Sequence, residues 1–195
     1  MDVIADKETS FIEKKFIRLN YSNKKIEEKE FEDCMFEKCI FIESTFQNCN
    51  FSGCTFSECS ISANKPFNSV FTNVSFKDSK VMGFDWTKAK TIRALKFERC
   101  NISYSNFSFL KLPRLQLLEC VAKEINFAES DLSEGIFTKT DFDKSVFSHT
   151  NLTKADFRKA INYGIDFNFN TLKKAKFSLP EATSLLKSLD IVLEV

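Results

Sequence analysis

A large apolar residue recurs at every fifth position through most of this 195-residue chain, and that period decides what it can fold into. In one frame stand Phe31, Phe36, Phe41, Phe46, Phe51, Phe56 and Ile61, with Phe71, Phe76, Val81 and Trp86 after Pro66. The same frame runs back through Ile26, Tyr21, Phe16 and Phe11. One residue is added at 87–91, after which the frame continues from Ile92 to Phe177, through Phe107, Leu112, Phe127, Leu132, Phe147, Leu152 and Phe167. An amphipathic helix needs spacings near 3.6 and a strand needs 2. A period of five suits a chain that turns a corner every five residues, and four corners close a coil.

Equivalent residues should therefore recur at twenty, and they do. Phe11, Phe31, Phe51 and Phe71 form one column, and Phe16, Phe36, Phe56 and Phe76 a second. Phe107, Phe127, Phe147 and Phe167 form a third, and Leu112, Leu132, Leu152 and Leu172 a fourth. The position two before each large residue is usually small, and all seven cysteines occupy it: Cys34, Cys39, Cys49, Cys54, Cys59, Cys100 and Cys120. One large and one small side chain thus face inward per five residues. The expected architecture is an all-β, right-handed, four-sided β-helix, in which 34 units from Phe11 to Phe177 make 8.5 coils. Residues 1–10 lead in and residues 11–177 form the coils. In 178–195, Pro180 and a possible Ser178 cap open a short α-helix.

Asn162 falls where the frame requires an apolar residue. It is either buried and hydrogen-bonded, or replaced by Ile161 or Tyr163 through a local shift.

The units Ala155-Asp156-Phe157-Arg158-Lys159, Ser130-Asp131-Leu132-Ser133-Glu134 and Thr150-Asn151-Leu152-Thr153-Lys154 resemble the A(D/N)LXX consensus of the pentapeptide-repeat family. The tail, with Leu185, Leu186, Leu189, Ile191, Val192 and Leu193, is similar to that of the bacterial members that shield DNA gyrase. Those are the Qnr-type quinolone-resistance proteins and the microcin immunity proteins. The resemblance implies a non-catalytic rod that binds gyrase or topoisomerase IV by imitating duplex DNA, and a homodimer formed through those tail residues. Qnr-type loops are not expected, because the frame slips by one residue only.

The charge pattern departs from DNA mimicry. The chain carries 28 Lys plus Arg against 27 Asp plus Glu, and residues 95–177 carry 13 against 10. A near-neutral chain is also ill suited to tracking nucleic-acid backbone. The nearest acidic patch is Glu27, Glu28, Glu30, Glu32 and Asp33, with Glu13 one coil away, and it is a candidate partner surface. Phe109, outward on a regular coil, is another. Phe67 and Phe169 fall at irregularities and are expected to pack over neighbouring coils.

The cysteines lack the paired short spacings of a metal site. His149 faces outward with no nucleophile expected beside it, and no Gly-rich phosphate loop is present. The reading is therefore no enzyme, no cofactor and no metal. With no signal peptide and no membrane-length apolar run, the expected location is the cytoplasm. The balanced charge also leaves open a general interaction scaffold with an unrelated partner.

Overall fold

The structure, a computed structural model, describes residues 8–189 and residue 191. It is a parallel β-solenoid. The residues of one coil pair in register with those twenty further on: Phe11 with Phe31, Phe31 with Phe51, Phe51 with Phe71, and on the next side Phe16 with Phe36 and Phe36 with Phe56. Across 87–91 the offset becomes twenty-one, as in Phe71 with Ile92 and Asp85 with Asn106, and then returns to twenty. The added residue is taken up in a 3-10 turn at Trp86–Lys88, where Asp85 accepts from Thr87 N at 3.2 Å.

Each corner lies two residues beyond a large inward residue. From Glu13 to Lys159 nearly every corner residue has φ between 49° and 65°. That left-handed conformation costs an L-residue on the order of 1 kcal/mol. The cost is offset because the turned N–H reaches the next coil: Glu13 N donates to Glu32 O at 2.9 Å, and Asp33 N to Ser52 O at 2.8 Å. Most corners are Glu, Lys or Arg, so outward charge and corner geometry coincide at one position.

The axis is filled by rings stacked at the coil spacing. Phe11, Phe31, Phe51 and Phe71 succeed one another at 5.2, 4.9 and 5.1 Å, and Phe16, Phe36, Phe56, Phe76 and Phe97 at 4.9, 4.5, 5.0 and 4.9 Å. Phe107, Phe127 and Phe147 continue the pattern at 5.3 and 5.2 Å. Leu132 and Leu152 are buried, while Leu172 packs only partly against the core.

The small inward positions hold the backbone as well as filling space. Cys34 Sγ donates to Phe11 O at 3.3 Å, Cys54 Sγ to Phe31 O at 3.3 Å, and Ser44 Oγ to Tyr21 O at 2.6 Å, each reaching 23 residues back. At Ser69, Ser79, Thr140 and Ser145 the hydroxyl oxygen also accepts from the N–H twenty residues earlier. Cys49 N donates to Ser69 Oγ at 3.0 Å, and Cys59 N to Ser79 Oγ at 2.9 Å. The slot thus favours small donors, and Cys, Ser and Thr fit for that reason.

Three expectations are corrected near the C-terminal end, and of the alternatives at Asn162 the replacement by Tyr163 is the one realised. Phe167 does not extend the third column: it is 39% exposed, and Phe147 pairs with Ile165 instead. Asn162 is exposed and adopts the corner conformation early, at φ 58°, so buried Tyr163 replaces it between Phe157 and Phe177. Asparagine tolerates this conformation well. The final helix, Glu181–Leu189, is 3-10 and not α. Thr183 N donates to Pro180 O at 3.0 Å in the tighter pattern. Ser178 does not cap it, since its Oγ accepts from Lys159 N at 2.7 Å. Together with Glu181 Oε1, which accepts from Asn162 N at 2.6 Å, this fastens the helix to the last coil.

Candidate interaction surface

The solenoid buries its large residues and places its chemistry on corners and outward strand positions. Glu30 and Glu32 flank buried Phe31 on one side of the coil, and Asp33 is the corner that follows. Glu13 lies one coil before Asp33 at the same corner, and its N–H donates to Glu32 O at 2.9 Å. Glu27 and Glu28 belong to the preceding side. Glu27 is engaged, by Lys25 at 2.8 Å and by Gln47 at 3.0 Å. The acidic patch is therefore chiefly Glu13, Glu30, Glu32 and Asp33.

It does not continue down the rod. In the same two outward columns and corner follow Asn50, Ser52 and Gly53, then Val70, Thr72 and Asn73. Arg93, Lys111 and Arg114 come next, then Asp131 and Glu134, and finally Lys154, Lys173 and Lys174. Charges of opposite sign are laddered between coils, as in Arg114–Glu134–Lys154 at 3.0 and 3.1 Å. The two cations beside Glu134 hold its carboxyl below the usual carboxylate range.

Phe109 is a corner residue at φ 62° and 68% exposed. Phe67 and Phe169 are exposed too, so the expectation that they pack over neighbouring coils fails for most of their surface. Tyr104, at the preceding corner of Phe109's coil, was not singled out in the sequence and is 58% exposed. Between the two lies half-buried, uncharged Asn106, so the two exposed rings are not separated by a charge. The signal for Tyr104 was its place two residues after Ile102, the corner rule itself.

Of the tail residues, Leu185 packs partly against the core, whereas Leu186, Leu189 and Ile191 are exposed. Val192 and Leu193 lie outside the described residues. Beside this helix a cleft of about 300 Å³ is lined by Tyr163, Asp166, Ser184 and Lys187. The Tyr163 hydroxyl and Ser184 Oγ are buried without hydrogen-bond partners among the described residues.

His149 does have a neighbour: Ser148 Oγ is 3.0 Å from its Nδ1, contrary to expectation. The pair is exposed, and among the described residues no carboxylate is bonded to the ring to orient it as a base. Among the described residues no group of three His, Cys, Asp or Glu is placed to hold a metal ion. The seven cysteines are buried and unbridged. Burial pushes the thiols of Cys49 and Cys100 up to about 11 and those of Cys54 and Cys120 up to about 12. A thiol so raised stays protonated and inert at any pH below 9. Cys39 is the exception, its thiol drawn down by the hydrogen bond with Cys59, but it is fully buried and out of reach of reagent. Iodoacetamide at pH 7.5 is therefore expected to label no cysteine in the folded protein and all seven in denaturant. Mass spectrometry showing prompt labelling of the native state would contradict this packing.

A pentapeptide repeat region model matches residues 29–107, and a model of eight pentapeptide repeats matches residues 125–161, together more than half of the chain. The chain belongs to the pentapeptide-repeat family. This pentapeptide-repeat protein is similar in fold to QnrB1, a plasmid-mediated fluoroquinolone resistance protein. Against a trypsin-treated variant the TM-score is 0.64 at 21% identity, covering 95% of this chain and 99% of that one. Against full-length QnrB1 the TM-score is 0.58 at 16% identity, covering 91% and 100%. No curated protein matches the sequence significantly. Among the described residues no helix is long and apolar enough to cross a membrane.

Proposed function

We propose that this pentapeptide-repeat protein is a non-catalytic protein-binding rod of the cytoplasm that engages DNA gyrase or topoisomerase IV and shields it from quinolones or toxins. The observation that carries the reading is the likeness in fold, over 91–95% of its length, to QnrB1, a fluoroquinolone resistance protein. The ladder of alternating charge argues against imitation of a uniformly acidic duplex. Recognition on this reading rests on rod shape together with Glu27, Glu28, Glu30, Glu32, Asp33 and exposed Phe109. Binding of purified gyrase to the immobilised protein, with a Kd in the micromolar range or tighter, is the expected result. No binding at 50-fold higher gyrase, on the order of 50 µM, would remove gyrase from the account.

The same reading has two rods joined end to end through Leu185, Leu186, Leu189, Ile191, Val192 and Leu193. The exposure of Leu186, Leu189 and Ile191 on one terminal segment supports it. Light scattering should give twice the chain mass of 22.5 kDa. The double change Leu186→Glu and Leu189→Glu should halve the mass without altering the β-sheet circular dichroism. A native monomer would refute the dimer. The balanced charge of 28 against 27 favours a second reading, a scaffold with an unrelated partner, which a pull-down returning one non-topoisomerase protein would support.

A further inference from the structure

We propose that the solenoid is split between Ile92–Ala94 and Lys111–Pro113, and that this split is a docking cleft for an extended acidic peptide segment of a partner protein. The inference stands apart from the gyrase reading. On this side of the rod, neighbouring coils are ordinarily joined by three hydrogen bonds. One coil further on, Leu112 N donates to Asp131 O at 2.8 Å, Arg114 N to Ser133 O at 2.8 Å, and Asp131 N to Leu110 O at 2.9 Å. The corresponding donors, Ile92 N, Ala94 N and Lys111 N, make no such bond, and Thr91–Arg93 does not pair with Lys111–Pro113. On the adjoining side the same two coils are closed, with Lys96–Glu98 paired to Gln116–Leu118. The coils therefore meet at Phe97 and Leu117 and part at Ile92 and Leu112.

The sequence explains the opening. The inward slot of this column holds Cys34, Cys54, Val74, Gly135 and Ala155 in other coils, but the longer Leu95 and Leu115 here, both buried. Two leucines stacked where a smaller group sits in other coils overfill the corner and spread the coils. The added residue at 87–91 enters this coil immediately before Thr91.

The opening is a cavity of about 330 Å³ with Ile92, Leu95, Leu112 and Leu115 in its lining and Arg93 and Lys111 on its lips. No carboxylate lines it, and neither Arg93 nor Lys111 has an ion-pair partner among the described residues. Nearby Lys96 and Arg114 are already held by Glu98 at 3.1 Å and Glu134 at 3.0 Å. A larger groove of about 780 Å³ shares Ala94, Leu95 and Pro113 and continues over the corner formed by Gly53 and Asn73. The cleft therefore offers unpaired N–H donors, unpaired carbonyls at Lys111 and Pro113, an apolar lining and two uncompensated cations. A free anion satisfies only the donors and cations. An extended peptide backbone supplies donors and acceptors together, its apolar side chains rest on half-buried Ile92 at the mouth above the buried Leu95, Leu112 and Leu115, and alternate carboxylates meet Arg93 and Lys111.

The probe is the peptide acetyl-Glu-Val-Glu-Val-Glu-amide, with its Lys-for-Glu counterpart and sodium acetate at matched carboxylate concentration as controls. Amide exchange followed by NMR should show Ile92 and Ala94 exchanging about 100-fold faster than Leu112 and Arg114 in the free protein, with both slowed by the acidic peptide. The double change Arg93→Glu and Lys111→Glu, on exposed side chains, should weaken the peptide about tenfold or more while leaving the fold intact. Slow exchange of Ile92 and Ala94 in the free protein would overturn the proposal. So would equal binding of the basic peptide, equal protection by acetate, or peptide-induced shifts confined to another face.

Discussion

Replacing Phe36 with alanine is expected to lower the unfolding free energy by about 3–5 kcal/mol, the range for emptying a buried aromatic site. The ring lies between Phe16 at 4.9 Å and Phe56 at 4.5 Å, with planes inclined by 16° and 5°. It also meets Phe31 and Phe51 edge-on at 5.3 and 6.3 Å. Because the coil above and the coil below both rest on this ring, neither can collapse into the vacancy without shortening the backbone rungs that fix their separation. Phe36→Leu keeps most of the volume and should cost well under half as much. Phe67→Ala, at a half-exposed ring, should cost about 0.5 kcal/mol or less. Urea unfolding followed by circular dichroism measures all three. Equal midpoints for Phe36→Ala and Phe67→Ala would mean that the ring columns do not hold the rod.

Thr140→Val should cost about 2–3 kcal/mol although it changes almost no volume. The Thr140 hydroxyl is fully buried, donates to Leu117 O at 2.9 Å and accepts from Cys120 N at 3.3 Å. Valine leaves both backbone groups buried and unpaired, and each such loss costs about 1–3 kcal/mol. Thr140→Ser retains the hydroxyl and should cost about 1 kcal/mol, from the lost methyl. A Val variant as stable as the Ser variant would show that the small inward slot selects for size alone.

These two variants mark how far the sequence could be read. The period of five, the columns at twenty and the inward placement of every cysteine are visible in the letters, because a solenoid repeats each local choice in every coil. Size alone was legible at the small slot. Its second task, donating from Cys34, Ser44 or Thr140 to a carbonyl 23 residues back, depends on a relation between coils that no single unit displays. The frame misled at Phe167, because a strict count of five cannot register that Asn162 turns the corner early and that Tyr163 and Ile165 take the interior places. The split beside Ile92 was hidden for a similar reason. Leu95 and Leu115 look unremarkable as apolar residues, and only their stacking in a slot meant for small side chains parts the backbone. As for the surface, the acidic residues near Glu30 could be counted from the sequence, but their reach along the rod required the register. That register shows the patch ending at Asn50 and Ser52.

The central claim, that this rod acts as a surface upon a type II topoisomerase, is tested most directly by a supercoiling assay with purified gyrase and a fluoroquinolone. The account predicts that the protein at micromolar concentration restores supercoiling of relaxed plasmid under drug, with no effect of the exposed control change Lys154→Ala. A protein that neither rescues nor inhibits gyrase over that range would contradict it.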